Sequence, residues 1–203
     1  MVTTPTLTLI VAALVPRLGI GHQGGLPWKL KQEMKYFRQV TSQASKPGHS
    51  NAVIMGRKTW ESIPTKFRPL PNRINVILTR TGTDALQGAD GAALVAHSID
   101  DALLQLQGKL VDKIFIIGGA EIYNSVIKDA RTTRVLLTEV HAEGAVEMDT
   151  FLDFPWFNEE NAGWARAPRT ALQSYIGPEI VLPEQDISEG SFVYNYSLFE
   201  RQE

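Results

Sequence analysis

Residues 114–119 read Ile114-Phe115-Ile116-Ile117-Gly118-Gly119, an unbroken apolar run stopped by paired glycines ahead of a helical stretch through Ile127. A strand with one face in water alternates apolar and polar side chains, whereas a strand covered on both faces does not. The same arrangement recurs upstream. Ala52–Met55 is halted at Gly56, with a short helix opening near Lys58, and Ile74–Leu78 ends at Thr79-Arg80. Leu7–Leu14 is followed by a glycine-rich loop from Pro16 to Pro27, and Val135–Val140 reads as a further strand. Between these runs Leu30, Met34, Phe37 and Val40 recur at helical spacing, and Ser98 with Asp101 resembles a capping box opening a helix through Leu106. Strands alternating with helices predict an α/β fold, one domain spanning 1–203, whose mostly parallel sheet carries helices on both faces. Beyond Asp149 the pattern changes. Segments around Trp164–Tyr175 and Phe192–Phe199 read as strands without an intervening helix, a hairpin at one sheet edge. The stretch Glu179–Glu189, rich in proline and acid, reads as surface loop.

The 203 residues suit one compact core, and 43% hydrophobic content can fill it. A net charge of −2 gives no general attraction to nucleic acid or a membrane surface, so an anionic ligand needs a local basic pocket. There is no cysteine, which excludes disulfides, iron–sulfur clusters and thiol nucleophiles and fits a reducing compartment. The apolar run Leu7–Val15 lacks a basic leader and is too short to span a bilayer. The cytoplasm is the expected location, with an organelle as the alternative.

Three strand ends carry groups that suit an anion. Gly118–Gly119 would let backbone N–H groups approach a pyrophosphate, although a plain tight turn explains the pair equally well. Gly56-Arg57-Lys58-Thr59 offers two cations and a hydroxyl, although cations like these taken alone are more often solvated surface charges. Thr79-Arg80 is the third. Together they are what a sheet binding an anionic dinucleotide presents, and the cations favour a cofactor with an extra 2′-phosphate. His97, just before Ser98, could add charge there. Glu33 sits beside the apolar stripe of its helix. One reading pairs it with Lys29 at i−4; the other makes it a carboxylate in a partly apolar cleft, gripping a planar, amidine-like ligand by two hydrogen bonds. The four histidines show no metal spacing, and no P-loop, serine-nucleophile or paired-acid motif occurs.

In combination these residues resemble the dihydrofolate reductase family, in its eukaryotic form. Ile20-Gly21, Leu26-Pro27-Trp28, Glu33 and Phe37 are similar to its substrate loop and helix. Val53 through Pro64 is similar to its longest signature. Arg68-Pro69-Leu70, Arg73-Ile74-Asn75, Ile116 to Gly119, Tyr123, Thr138 and Asp149-Thr150-Phe151 follow in the family's order. Gly25 departs from it, standing where the family carries Asp or Asn, which implies a more mobile active-site loop.

The resemblance implies a central eight-stranded sheet, parallel except for its last strand. It implies hydride transfer from NADPH to C6 of dihydrofolate, giving tetrahydrofolate. Glu33 would hold the pteridine 2-amino group and N3 and promote protonation at N5, with Thr138 supporting it from behind. Leu26, Trp28 and Tyr123 complete the implied catalytic set. Ile10, Val11, Phe37, Ile63, Leu70 and Ile117 would line the substrate site, and Arg73 would take the carboxylate of the glutamate tail. On the cofactor side it implies Ala12, Ile20 and Gly21 at the nicotinamide end. Gly56, Arg57, Lys58, Thr59, Leu78, Thr79, Arg80 and Ser98 would serve the phosphates. Ile117, Gly118, Gly119, Ala120, Glu121, Ile122 and Tyr123 would lie over the pyrophosphate and nicotinamide. Cis peptide bonds are implied at Gly118–Gly119 and Arg68–Pro69. Antifolates are expected ligands, and a monomer is the expected state. The rivals are another reductase of similar fold, such as a ribityl-pyrimidine reductase, and a non-catalytic NADPH-binding protein.

Overall fold

The computed structural model describes residues 4–82, 86, 91–159 and 162–203. The first half runs β1 (Leu7–Leu14), β2 (Gly19–Gly21), α1 (Lys31–Ser42), β3 (Ser50–Gly56), α2 (Arg57–Ser62), β4 (Arg73–Leu78), β5 (Leu94–Ala96) and α3 (Ile99–Leu106). The second half runs β6 (Val111–Ile116), α4 (Ala120–Val126), β7 (Thr132–Ala142), β8 (Thr150–Phe151), β9 (Trp164–Arg166), α5 (Arg169–Ile176), β10 (Ile187–Glu189) and β11 (Phe192–Arg201). Eight strands form the main sheet in the order β10-β11-β7-β1-β6-β3-β4-β5, while β2, β8 and β9 attach at its margins. The pairings from β7 to β5 are all parallel. Only β11 breaks the pattern, running antiparallel to β7 from Phe192↔Ala142 to Glu200↔Arg134.

The continuous apolar runs are explained by two core layers, one on each face of the sheet. Leu7, Leu9, Val11 and Ala13 of β1 pack into one layer with Ala52, Ile54, Ile114 and Ile116. Ile10, Val53, Met55 and Phe115 point the other way. The strand period of two divides neighbouring side chains between the layers, so consecutive positions of these runs are apolar. Helices α3 and α4 cover the first layer through Leu103, Leu106 and Val126. Helices α1, α2 and α5 cover the second through Tyr36, Val40, Trp60 and Leu172.

Three expectations need correcting. The Trp164–Tyr175 segment is not one strand: only Trp164–Arg166 pairs, and Arg169–Ile176 is helical. Leu172 and Ile176, one turn apart, bury that helix against the second layer. Pro168 at its N-cap and Gly177 (φ 94°) just past its end bracket it, a punctuation too short for periodicity to reveal. The Pro16–Pro27 loop contains β2, which joins β1 to β8. The 179–189 stretch is more than surface loop, since Ile180 and Leu182 are buried and its end forms β10. Among the described residues no helix is long and apolar enough to cross a membrane. The bonds Gly118–Gly119 and Arg68–Pro69 are cis as implied, and Val15–Pro16 is cis as well.

Candidate active site

The cleft is built where α1 lies along the second face of the sheet. Helical spacing turns Glu33, Tyr36, Phe37 and Val40 inward; Tyr36 and Val40 are buried, and Phe37 packs at the margin. Opposite them, β7 presents Thr138, 2% exposed, whose hydroxyl donates to Glu33 Oε1 at 3.4 Å. Lys29 precedes the first turn of α1, and no ion pair joins it to Glu33 among the described residues. Apolar surroundings desolvate the Glu33 carboxyl and push it up from 4.5 to about 7; the Thr138 bond opposes this weakly, and the Glu189 carboxylate adds to it. A carboxyl titrating near neutrality is matched to proton transfer at neutral pH.

Apolar side chains share this side of the sheet. Ile10 of β1 and the partly buried Phe37, Ile63, Leu70 and Ile117 belong to the same apolar cluster. Val11, the next residue on β1, faces the opposite layer, so only its backbone can reach the cleft. Ala12 returns to the cleft side, against the cluster of Trp28, Leu30 and Tyr194. Trp28 itself is 5% exposed and meets the Phe192 ring edge-on at 5.9 Å, anchoring the loop from beneath. Leu26 is 68% exposed, a large apolar side chain with little packing of its own, as a wall that closes on a bound ring would be. Within that loop His22 and Gly25 exchange backbone hydrogen bonds of 3.0 Å, and Gln23 N donates outward to Asp149 Oδ2 at 2.7 Å.

At the far end of α1 lies a cation with no carboxylate partner among the described residues. Arg73 donates to Pro71 O and to Thr41 Oγ1, both at 2.9 Å. Burial and then the neighbouring Arg38 lower its guanidinium to about 10. A guanidinium bonded to neutral acceptors, with a second cation nearby, invites an anion. Neighbouring strands then align the other expected residues. Because β6, β3, β4 and β5 are adjacent and parallel, Gly118-Gly119, Gly56-Arg57, Thr79-Arg80 and His97-Ser98 stand in a row at their carboxyl ends. Gly56 N donates to Gly118 O at 2.8 Å. Gly118 has φ 126°, and a side chain there would also crowd Tyr123, whose hydroxyl donates to Ile10 O at 2.7 Å. A Cβ on Gly56 would press Ile122 at 3.3 Å, so these backbones leave the surface open only as glycine.

The model of the family described as dihydrofolate reductase matches residues 6–174. The chain belongs to the dihydrofolate reductase family. It is 46% identical over 200 residues to the dihydrofolate reductase of Candida albicans, covering 98% of each chain. It is 38% identical over 206 residues to that of Saccharomyces cerevisiae, covering 95% of each. Among solved structures it resembles Schistosoma mansoni dihydrofolate reductase with a TM-score of 0.75 and 30% identity, covering 98% of this chain and 100% of that one.

For a dihydrofolate reductase, the strand-end row is the test of a nicotinamide cofactor, and its residues fit one. Arg80 bonds Glu121 at 3.1 Å, but the two side chains are 87% and 80% exposed, so the pair is weak and exchangeable. Arg57 pairs loosely with Glu61 at 3.6 Å, and Lys58 is exposed. Thr59 lies against Gly118 and Gly119. Ser98 is partly committed, its hydroxyl accepting Asp101 N at 3.0 Å as the cap of α3. Ile20 and Leu78 pack into the first layer, so they shape this edge from behind. Sequence reasoning missed four contributors. Tyr36 and Tyr196 stack at 3.8 Å behind Glu33, Arg38 stands beside Arg73, and Glu189 faces the start of α1. Tyr36 was within reach, three residues after Glu33 on the same stripe. Glu189, 156 positions downstream of Glu33, left no local signal.

Proposed function

We propose that this reductase transfers hydride from NADPH to C6 of dihydrofolate, with Glu33 gripping the pteridine and governing the proton that N5 must gain. The observation that carries the reading is the desolvated Glu33 carboxyl, pushed up to about 7 and backed by Thr138 at 3.4 Å. Its two oxygens suit the 2-amino group and N3 of the pteridine, a planar amidine-like edge. Ionised, it fixes the ring's orientation; protonated, it sustains the acid needed at N5, through a water. Phe37 and Ile10 hold the ring flat, and Ile63 and Leu70 take the segment leading to the tail. Arg73, with Arg38 beside it, receives the tail carboxylate. NADPH, when bound, supplies the hydride. Gly56, Gly118 and Gly119 admit its pyrophosphate, and Arg57, Lys58 and Arg80 meet its phosphates. Exclusion of water from two stacked rings at about 3–3.5 Å is the protein's contribution to rate.

The product, tetrahydrofolate, serves one-carbon and nucleotide metabolism. Antifolates that share the amidine-like edge compete for Glu33. One chain supplies every part of the cleft, which supports a monomer acting as one domain over 1–203, and the cysteine-free sequence suits the cytoplasm. Against the ribityl-pyrimidine alternative stand Glu33, Phe37 and Arg73 together, which suit a pteridine carrying a glutamate tail. The test is a cuvette assay. Protein, NADPH and dihydrofolate should lose NADPH absorbance together, with NADH far less effective; no loss with either cofactor sinks the reading.

A further inference from the structure

Helix α1 carries the active-site acid two residues into its first turn, yet its own sequence does not cap it. The N-cap is Leu30, with no side-chain hydrogen bond, so the leading backbone N–H groups need a partner from elsewhere. They find it in Glu189, on the C-terminal hairpin. Glu189 Oε2 accepts Lys31 N at 2.7 Å and Oε1 accepts Gln32 N at 2.9 Å. The carboxylate is gripped from the other side by Tyr194, fully buried on β11, whose hydroxyl donates to Oε1 at 2.6 Å. The register Ile187↔Tyr194 across the hairpin and Tyr194↔Val140 across the sheet fixes that tyrosine to β7, two residues from Thr138. Both sides of Glu33 are therefore referred to one framework.

We propose that Glu189, clamped by Tyr194, is a positioning residue for the reduction: it sets where α1 begins and places a second negative charge at the start of that helix, on the backbone immediately before Glu33. The proposal deepens the reading of Glu33 as the acid and rests on it. The groups facing Glu33 support the electrostatic half. Tyr123 from α4, Tyr36 from α1 itself and Tyr196 from β11 are held neutral by burial, and Thr138 of β7 is uncharged. Glu189 is the carboxylate that opposes ionisation of Glu33, while its own charge is sustained, against burial, by Tyr194 and the two backbone donors, with Lys31 the opposing cation. A carboxylate at the helix start also offsets the positive end of α1, which would otherwise favour ionised Glu33. Both effects keep the proton on Glu33 to higher pH.

The test is the pH dependence of single-turnover hydride transfer, followed as NADPH absorbance in wild type, Glu189→Gln and Tyr194→Phe. Glu189→Gln keeps an oxygen for one backbone donor and removes the charge. Its midpoint should fall by roughly 0.3–1 pH unit, the effect of one partly screened like charge. The rate should drop about two- to tenfold above pH 7 and be unchanged well below the midpoint. Tyr194→Phe loosens the clamp but keeps the Glu189 charge, so its midpoint should move by clearly less than that of Glu189→Gln. A uniform loss across all pH in Glu189→Gln makes the residue merely structural and overturns the proposal, as does an unmoved profile. A shift of equal size in both variants assigns it to a loosened hairpin and overturns it too. Failure of the Glu33 reading looks different, because the wild-type profile would then survive in Glu33→Gln.

Discussion

Replacing Glu33 by glutamine should make the unliganded protein more stable, and only above a definable pH. The folded state raises this carboxyl from 4.5 to about 7. Between those values the folded chain binds more protons than the unfolded one, so stability is lost as pH rises through the interval. At 1.36 kcal/mol per unit the full cost approaches about 3 kcal/mol, with more than half of it incurred by about pH 6. Partial exposure of the side chain brings the expected figure to roughly 1.5–3 kcal/mol. Glutamine is nearly isosteric, can still accept from Thr138, and has no charge to desolvate. Urea unfolding of both proteins at pH 4, 6 and 8.5 gives the comparison, because every other titrating group cancels between them. The variant should match wild type at pH 4 and gain progressively to pH 8.5. A difference that stays constant with pH would refute the claim that the fold desolvates this carboxyl.

Arg73→Ala should raise the KM for dihydrofolate about ten- to a hundredfold, the value of a charge-assisted hydrogen bond, while leaving a dihydropterin without the tail almost unaffected. Equal loss for both substrates would make Arg73 a structural anchor for Pro71 and Thr41. Arg80→Ala should weaken NADPH about tenfold, at the low end for a charged bond because Arg80 is so exposed, and leave NADH unchanged in fluorescence titrations. Asp112 gives an acid-stability prediction. Burial raises its carboxyl, but Ser45 N at 2.6 Å, Ser45 Oγ and Lys113 outweigh this and lower it to about 2. Its contribution is therefore present above about pH 4 and lost as pH falls toward 2. Asp112→Asn should cost at most about 1–2 kcal/mol in urea melts at pH 7, and the gap should close in acid.

The parallel core and the row of strand ends were legible because each is written locally. Apolar runs such as Ala52–Met55 and Ile114–Ile117 need both faces covered, and Gly56 and Gly118 follow them where backbone must approach backbone. Glu33 could be singled out as an acid on an apolar stripe, but its titration near neutrality comes first from burial by the assembled fold, with Thr138 opposing it and Glu189 adding to it from far along the chain. Helix α5 escaped because eight residues give periodicity little to work on, and only Pro168 and Gly177 mark it. Glu189 escaped for a different reason. It closes a stretch that reads as acid- and proline-rich loop, between Ser188 and Gly190, and its purpose appears only when β10 is laid against the start of α1.

The central claim is that Glu33 governs the proton in NADPH-dependent reduction of dihydrofolate. Its most direct test is the pH profile of that reduction in Glu33→Gln beside wild type, with NADPH affinity measured in the same samples. Proton-transfer assistance is worth about 10²–10⁴ in rate. Turnover at neutral pH should fall by that order, recover in part as the pH is lowered, and leave NADPH binding nearly unchanged. Wild-type turnover in a folded Glu33→Gln protein would contradict the account.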